Sequence, residues 1–319
     1  MADNLENARE GEGWLPGRPA LAGVPSRAAV RPPRPIRTGG YVLFVLPALL
    51  LSMSIIVIPG ALTFLAAFTD WDGVSEPWWI GWENFETLLA DRRFYEAILN
   101  NLKWMGLFLT VPVGLGLVAA SILMRRKKSH AVFQIILLIP YVLSPVANTM
   151  IWVNMIFDPT SGVIGFINAN LFPVPYPLGS TSTALFAVAS VNIWNFWGYL
   201  AVIFFAAMRQ TPEEQLEAAW LEGANGWQVF RYVTLPHILP TVALMLVIVT
   251  IFALLNFDYV YLMTGGGPAG STQMLSTMAY TFAFQTFEVG KAAAVAVVIS
   301  IFGIIASAVY VWISREGLR

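Results

Sequence analysis

The side chains able to do chemistry in this sequence lie inside its most apolar stretches. Asn192, Trp194, Asn195, Trp197 and Tyr199 share one stretch, Asn256, Asp258 and Tyr259 a second, and Asn148, Thr149 and Asn154 a third. A polar group in hydrocarbon is costly unless it is paired or faces water, so these clusters mark where a hydrated path is to be sought. Amides and carboxylates bond hydroxyl groups, while aromatic rings stack on flat C–H faces, and the combination suits a carbohydrate. Asn192 and Asn195, three residues apart, share a helix face. Asn192 with Asp258 is the preferred pair for ligand contact. The competing role for each amide is hydrogen bonding between helices, which is frequent in membrane bundles. Asp258 stands without a nearby cation in sequence, and ion coordination, proton coupling, sugar binding, gating and structural bonding are all open to it.

Other chemistries drop out by composition. There is no Cys, and the two histidines are His130 and His237, which excludes thiol nucleophiles, Cys-ligated zinc, iron–sulfur clusters and a multi-His metal site, so no metal is expected. No G-x-x-x-x-G-K-[ST] segment is present to cradle a nucleotide phosphate, and no H-E-x-x-H pair occurs. The chain is therefore not expected to be an enzyme. With 18 Lys plus Arg against 19 Asp plus Glu, the net charge of −1 exerts no general pull on nucleic acid.

The elements that must position these residues are membrane helices. The chain is 57% apolar and 12% charged, far from an ordinary soluble domain at about 25% charged. Six apolar stretches reach the roughly 20 residues that span a bilayer core, at 41–68, 104–124, 132–157, 183–208, 239–263 and 292–314. Pro47, Pro59, Pro112, Pro140 and Pro145 inside them predict kinks. Residues 1–40, rich in Arg and Pro, read as a disordered tail ahead of a membrane domain at 41–319. The apolar run after the tail is too long for a secretory leader and no Ala-x-Ala site ends it, so it reads as a retained anchor.

Cations stay on the cytoplasmic side. With the N-terminus inside, only Arg92, Arg93, Lys103 and Lys291 fall outside, and both termini are cytoplasmic. The first outer loop is acidic and carries Trp78, Trp79 and Trp82, which suits either a docking surface or an interfacial aromatic belt. Residues 209–238 form the longest ordered internal loop. There Thr211 reads as an N-cap, Pro212 as the first helical position and Glu214 as the partner in a capping box. Leu216, Ala219 and Trp220 make an apolar stripe beside Glu213, Glu214 and Glu217. Gly223 permits a turn, a second short helical segment follows through Trp227, Phe230 and Val233, and Pro236 is expected to end it. His237 reads as a junction residue. The result is a knob of two short helices with a face fit for a groove on another protein.

Glu217-Ala218-Ala219, three residues, Gly223, nine residues and Val233-Thr234-Leu235-Pro236 resemble the E-A-A-x3-G-x9-I-x-L-P loop of permease subunits of bacterial binding-protein-dependent ABC importers. Val233 in place of Ile is the one departure. Phe257-Asp258 with Leu262 to Pro268, Pro140 to Pro145, and Trp71-Asp72-Gly73 resemble the carbohydrate-uptake branch of that family, the maltose and glycerol-phosphate type. The resemblance covers nearly everything after residue 40. It implies an all-α, six-helix type I importer permease of the bacterial inner membrane. Glu217, Ala218, Ala219, Gly223, Leu235 and Pro236 would couple to a cytoplasmic ATPase dimer, whose subunits bind ATP and Mg, with no cofactor on this chain. A second, different permease, an external sugar-binding protein and membrane lipid are the other implied partners. The alternative from the residues alone is an ion-coupled secondary transporter or channel using Asp258. Absence of Lys and Arg from the span interiors tilts the substrate toward a neutral sugar rather than glycerol phosphate.

Overall fold

The computed structural model describes residues 39–125 and 129–316. Most of the 1–40 tail, with Arg126, Lys127 and Lys128, lies outside the described residues. By its contacts the chain divides into two units, Met1–Ile55 and Ile56–Arg319. In the first, α1 (Gly39–Ser52) contains Pro47. Its Leu49, Leu50 and Leu51 are exposed, and the Ser54 hydroxyl donates to the Leu50 carbonyl at 2.8 Å. An uncharged surface of this kind is satisfied by hydrocarbon.

The second unit is helical throughout its regular structure, and among the described residues the only β feature is an isolated bridge from Thr69 to Trp79. Among the described residues five helices are long and apolar enough to cross a bilayer, Phe44–Ala66, Arg92–Met124, Ala184–Met208, Gly226–Thr264 and Val289–Val309, and a bent pair supplies a sixth. α2 (Ile58–Ala66) ends the first span, and the short α3 (Glu83–Ala90) follows it.

The second span, α4 (Arg92–Met124), starts well before the expected residue 104. The Asp91 carboxylate accepts the Arg93 N–H at 2.8 Å as an N-cap, and Phe94, Ala97, Asn100 and Asn101 bury one face of the added turns. The third span is not one kinked helix. α5 (His130–Val142) and the segment Pro145–Phe157, which opens with α6 (Pro145–Met150), meet at 89°. Pro145 forces Ser144 into an extended conformation, and the Ser144 hydroxyl then caps Ala147 N–H at 3.2 Å. After α7 (Val163–Asn170), the fourth span α8 (Ala184–Met208) lies where expected.

The fifth span departs most from expectation. Its helix begins at α10 (Gly226–Val229), after the separate short helix α9 (Glu213–Leu221), continues into α11 (Leu235–Leu254), stops, and restarts as α12 (Asp258–Thr264). Pro236 does not end a helix; it occupies the first turn of α11. The π-helical turn Phe230–Thr234 just before it widens the backbone where the proline ring would otherwise meet the preceding turn. The same arrangement recurs at Met53–Val57 ahead of Pro59. Beyond the turn at Gly265, α13 (Leu275–Tyr280) leads to the last span, α14 (Val289–Glu316).

The main core is α8 packed on α4, α5 and α11, with Trp104, Leu200, Phe204, Met208, Ile238 and Val249 fully buried. Small residues set the closest approaches, as is usual where membrane helices touch. A Cβ at Gly116 would sit 3.0 Å from Leu200 Cβ. A second core joins α3, the start of α4, α13 and α14 through Leu88, Phe94, Leu275, Met278 and Val295.

Candidate functional site

A cavity of about 240 Å³ opens between α4, the α5–α6 corner, α8 and the break in the fifth span. Asn192, Asn195, Asn256, Asp258 and Tyr259 line it, alongside Phe108, Tyr141, Phe196 and Phe252. The structure thus gathers five of the eleven polar or aromatic residues singled out for a pathway. Trp194 and Trp197 do not line it, and Trp194 turns toward Trp152, with ring centroids 5.5 Å apart at 69°. On a helix, residue 194 points far from residues 192 and 195, so one face cannot serve all of them.

The break that exposes this site was not legible as a break. α11 stops at Leu254, leaving Asn256 and Phe257 outside any helix, and Asp258 opens α12. Neither Pro nor Gly stands there. Asn and Asp compete for backbone groups and favour helix ends, and the Ser276 hydroxyl supplies the Asn256 carbonyl with the donor that the helix no longer provides. Asp258 is exposed and sits in a first helical turn, where a carboxylate is favoured. Among the described residues, no hydrogen bond joins it to Asn192.

Several amides act between helices. The Asn195 side chain donates to the Pro140 carbonyl, and the fully buried Asn148 donates to the Tyr259 hydroxyl at 3.0 Å. Asn154 bonds back to the Met150 carbonyl at 2.9 Å and is exposed. Thr149 is buried beside Asn148. The aromatic part of the lining was mostly missed from sequence. Tyr141 stacks on Tyr199 at 4.6 Å and 15°, and Phe196 packs against both. Tyr141 next to Pro140 was the available signal. The lining carries no Lys or Arg.

At the opposite end of α8, the knob has the expected two short helices with different caps. Pro212, not Thr211, precedes the first turn of α9, and no side chain caps it. Thr211 is buried instead, so the predicted capping box with Glu214 does not form. The box lies one helix later, where Asn225 Oδ1 accepts from Trp227 and Gln228 N–H at 3.0 Å each and Gln228 returns a bond to Asn225 N–H at 2.7 Å. Gly223 adopts φ +82° between the two helices, a conformation costly for any residue with a Cβ. Glu217 and Ala218 are exposed on α9, with Leu235 and Pro236 on the adjoining start of α11. Trp220, Leu221, Trp227 and Tyr232 leave large apolar surfaces open around them.

Residues 112–316 match the family described as the binding-protein-dependent transport system inner membrane component. A probable ABC transporter permease protein of Sinorhizobium fredii is 30% identical over 287 residues, covering 89% of this chain and 93% of its own. The trehalose/maltose transport system permease protein MalF of Thermococcus litoralis is 27% identical over 278 residues, covering 86% and 93%. A chain of a bacterial ABC transporter involved in import of the acidic polysaccharide alginate superposes with a TM-score of 0.76 at 25% identity, covering 89% and 96%. The chain belongs to the binding-protein-dependent transport system inner membrane component family. It is a multi-pass permease subunit of an ABC importer, and its relatives include sugar permeases. That assignment displaces the ion-coupled carrier built on Asp258.

Proposed function

We propose that this chain forms half of a translocation path for a neutral saccharide and is driven by a separate ATPase docked on its knob. The knob end is then cytoplasmic, with both termini, and the acidic, Trp-rich end faces the external sugar-binding protein. A second permease completes the path, and ATP and Mg sit on the ATPase dimer.

The observation that best supports coupling is the exposed α9 with Glu217 and Ala218 outward and Trp220, Leu221, Trp227 and Tyr232 uncovered beside it. Large open apolar surface rimmed by charge fits a protein partner. Glu217 would pair with a cation of the ATPase, Ala218 and Ala219 would allow close approach, and Gly223 would hold the bend. Such a joint transmits force only if its contacts differ in energy between the two states of the path. For substrate, the cavity offers amides, one carboxylate, two phenols and aromatic faces without a cation. That set favours hydroxyl-rich ligands over phosphorylated ones.

The test is a gentle detergent purification of the tagged chain from its native membrane with mass spectrometry of its partners. A Glu217→Arg/Gly223→Trp variant is run beside it. An ATPase and a second permease are expected with the parent, and the ATPase is lost from the variant. Recovery of no ATPase with either form overturns the coupling proposal. Tighter binding of phosphorylated sugars than of free saccharides by the purified complex overturns the substrate proposal.

A further inference from the structure

Far along the chain from the polar clusters of the pathway, two consecutive amides on α4 hold the arm that runs from α12 to α13. The Asn100 side chain donates to the carbonyls of Ser271 and Gln273 at 3.1 and 3.0 Å. Asn101 Oδ1 accepts the Leu275 N–H at 2.9 Å. Both asparagines are almost fully buried, at 5% and 3% exposure. Neighbouring residues on a helix point about 100° apart, so a strand that meets both must wrap the helix rather than touch it once. Three bonds to main-chain groups, made through no side chain of the arm, fix its path whatever its own side chains do.

The arm is itself rigid. Gly265 closes α12 in the left-handed conformation at φ +57°, the hydroxyls of Thr264 and Thr272 bond each other at 2.8 Å, and Thr272, Met274 and Leu275 are wholly buried. One residue past the Asn101 contact, the Ser276 hydroxyl reaches back to the Asn256 carbonyl, at the break that forms the cavity wall. A continuous series of bonds therefore runs from α4 through Leu275 and Ser276 to the unwound turn holding Asn256, just ahead of Asp258 at the start of α12.

We infer that Asn100 and Asn101 are positioning residues that lock the α12–α13 arm to α4 and so hold the cavity closed toward the acidic end of the bundle, on the reading of that cavity as the translocation path. The broken turn cannot swing away from α8 by itself; it moves with α4. Asp91, Arg92 and Glu96, at the exposed start of α4, make no bond to the arm, so the lock is carried by neutral amides.

Because the chain lacks Cys, a single thiol reports accessibility cleanly. Asn256→Cys is placed in the assembled transporter in native membranes. A membrane-impermeant maleimide is then added from the acidic side, and modification of this chain is timed without nucleotide. Loss of one such bond shifts an opening equilibrium by about tenfold, so adding Asn101→Leu is expected to speed labelling at position 256 by that factor. Ser276→Ala, which removes the next bond in the series with little change in volume, is expected to act in the same direction and decides the matter if Asn101→Leu does not assemble. Ala201→Cys, at a fully buried site on α8, should stay unlabelled in both backgrounds. Unchanged labelling at position 256, or equal acceleration at 201, overturns the inference. Failure of ATP to alter labelling in the Asn256→Cys parent would count against ATPase coupling, while the ratio of variant to parent still judges the lock.

Discussion

Gly198 on α8 passes so close to Leu137 on α5 that a Cβ at position 198 would lie 1.9 Å from the Leu137 carbonyl oxygen. Three residues earlier on the same face, Asn195 donates to the Pro140 carbonyl. The two contacts hold α5 against α8 just before the chain bends by 89° into α6. The corner that brings Tyr141 and Pro145 to the cavity thus depends on a residue having no side chain.

Gly198→Ala is expected to push α5 off α8. Overpacking of a tight site costs about 1–3 kcal/mol, read as a lowered midpoint of thermal unfolding in detergent. Gly114→Ala, where nothing lies within 4 Å of the added Cβ, should be neutral or stabilise slightly. Equal effects of the two would contradict the close approach.

Asn148 and Tyr259 should be coupled. Asn148→Leu leaves a buried phenol without its donor, and Tyr259→Phe leaves a buried amide without its acceptor, at about 1–3 kcal/mol each. The double variant should lose less than the sum. A double-mutant cycle by denaturant unfolding checks this, and strict additivity would deny the bond.

Gly290→Ala should loosen the acidic end. A Cβ there would lie 2.0 Å from the Thr69 carbonyl, and Gly290 N–H donates to the Trp71 carbonyl at 2.9 Å. Asn84 meets the same strip, donating to the Ala67 and Thr69 carbonyls at 2.9 and 2.8 Å. Both Gly290→Ala and Asn84→Leu should expose residues 69–82 to limited proteolysis, with cleavage faster by about tenfold for a loss near 1.4 kcal/mol. Parent-like cleavage in both would refute the tie.

Asp72 should titrate abnormally low. The N–H groups of Val74 and Ser75 donate to its carboxylate at 2.8 Å each, holding its pKa down to about 2 from the ordinary 3.8. A depressed pKa means that the turn gains from ionisation above the ordinary value and loses that gain as pH falls through about 2. Carbon-13 NMR of labelled aspartate should place the midpoint there, and Asp72→Ala should remove that signal. A midpoint at the ordinary value would mean that the turn bonds are absent in solution.

Much of this organisation is written in local sequence. Uninterrupted apolar length locates the membrane helices because hydrocarbon cannot satisfy a bare backbone, so each span must close its own hydrogen bonds. α8 lies where expected, and Gly223 and Gly265 mark turns because φ above zero suits glycine. The Glu217 to Pro236 spacing points to a knob by residue type alone. Asn192, Asn195, Asn256, Asp258 and Tyr259 stand out as polar groups in apolar runs.

What the linear chain does not contain is who satisfies whom. The fifth span breaks at Leu255 without Pro or Gly because Ser276, twenty residues on, donates to the Asn256 carbonyl. Pro236 fails to stop a helix because a π turn relieves its ring, and Thr211 fails to cap because it is buried. Trp194 leaves the pathway face because α8 rotates it toward Trp152. Composition decides that a segment enters the bilayer; which carbonyl finds a donor, and which side of a helix meets water, are settled only when distant segments pack.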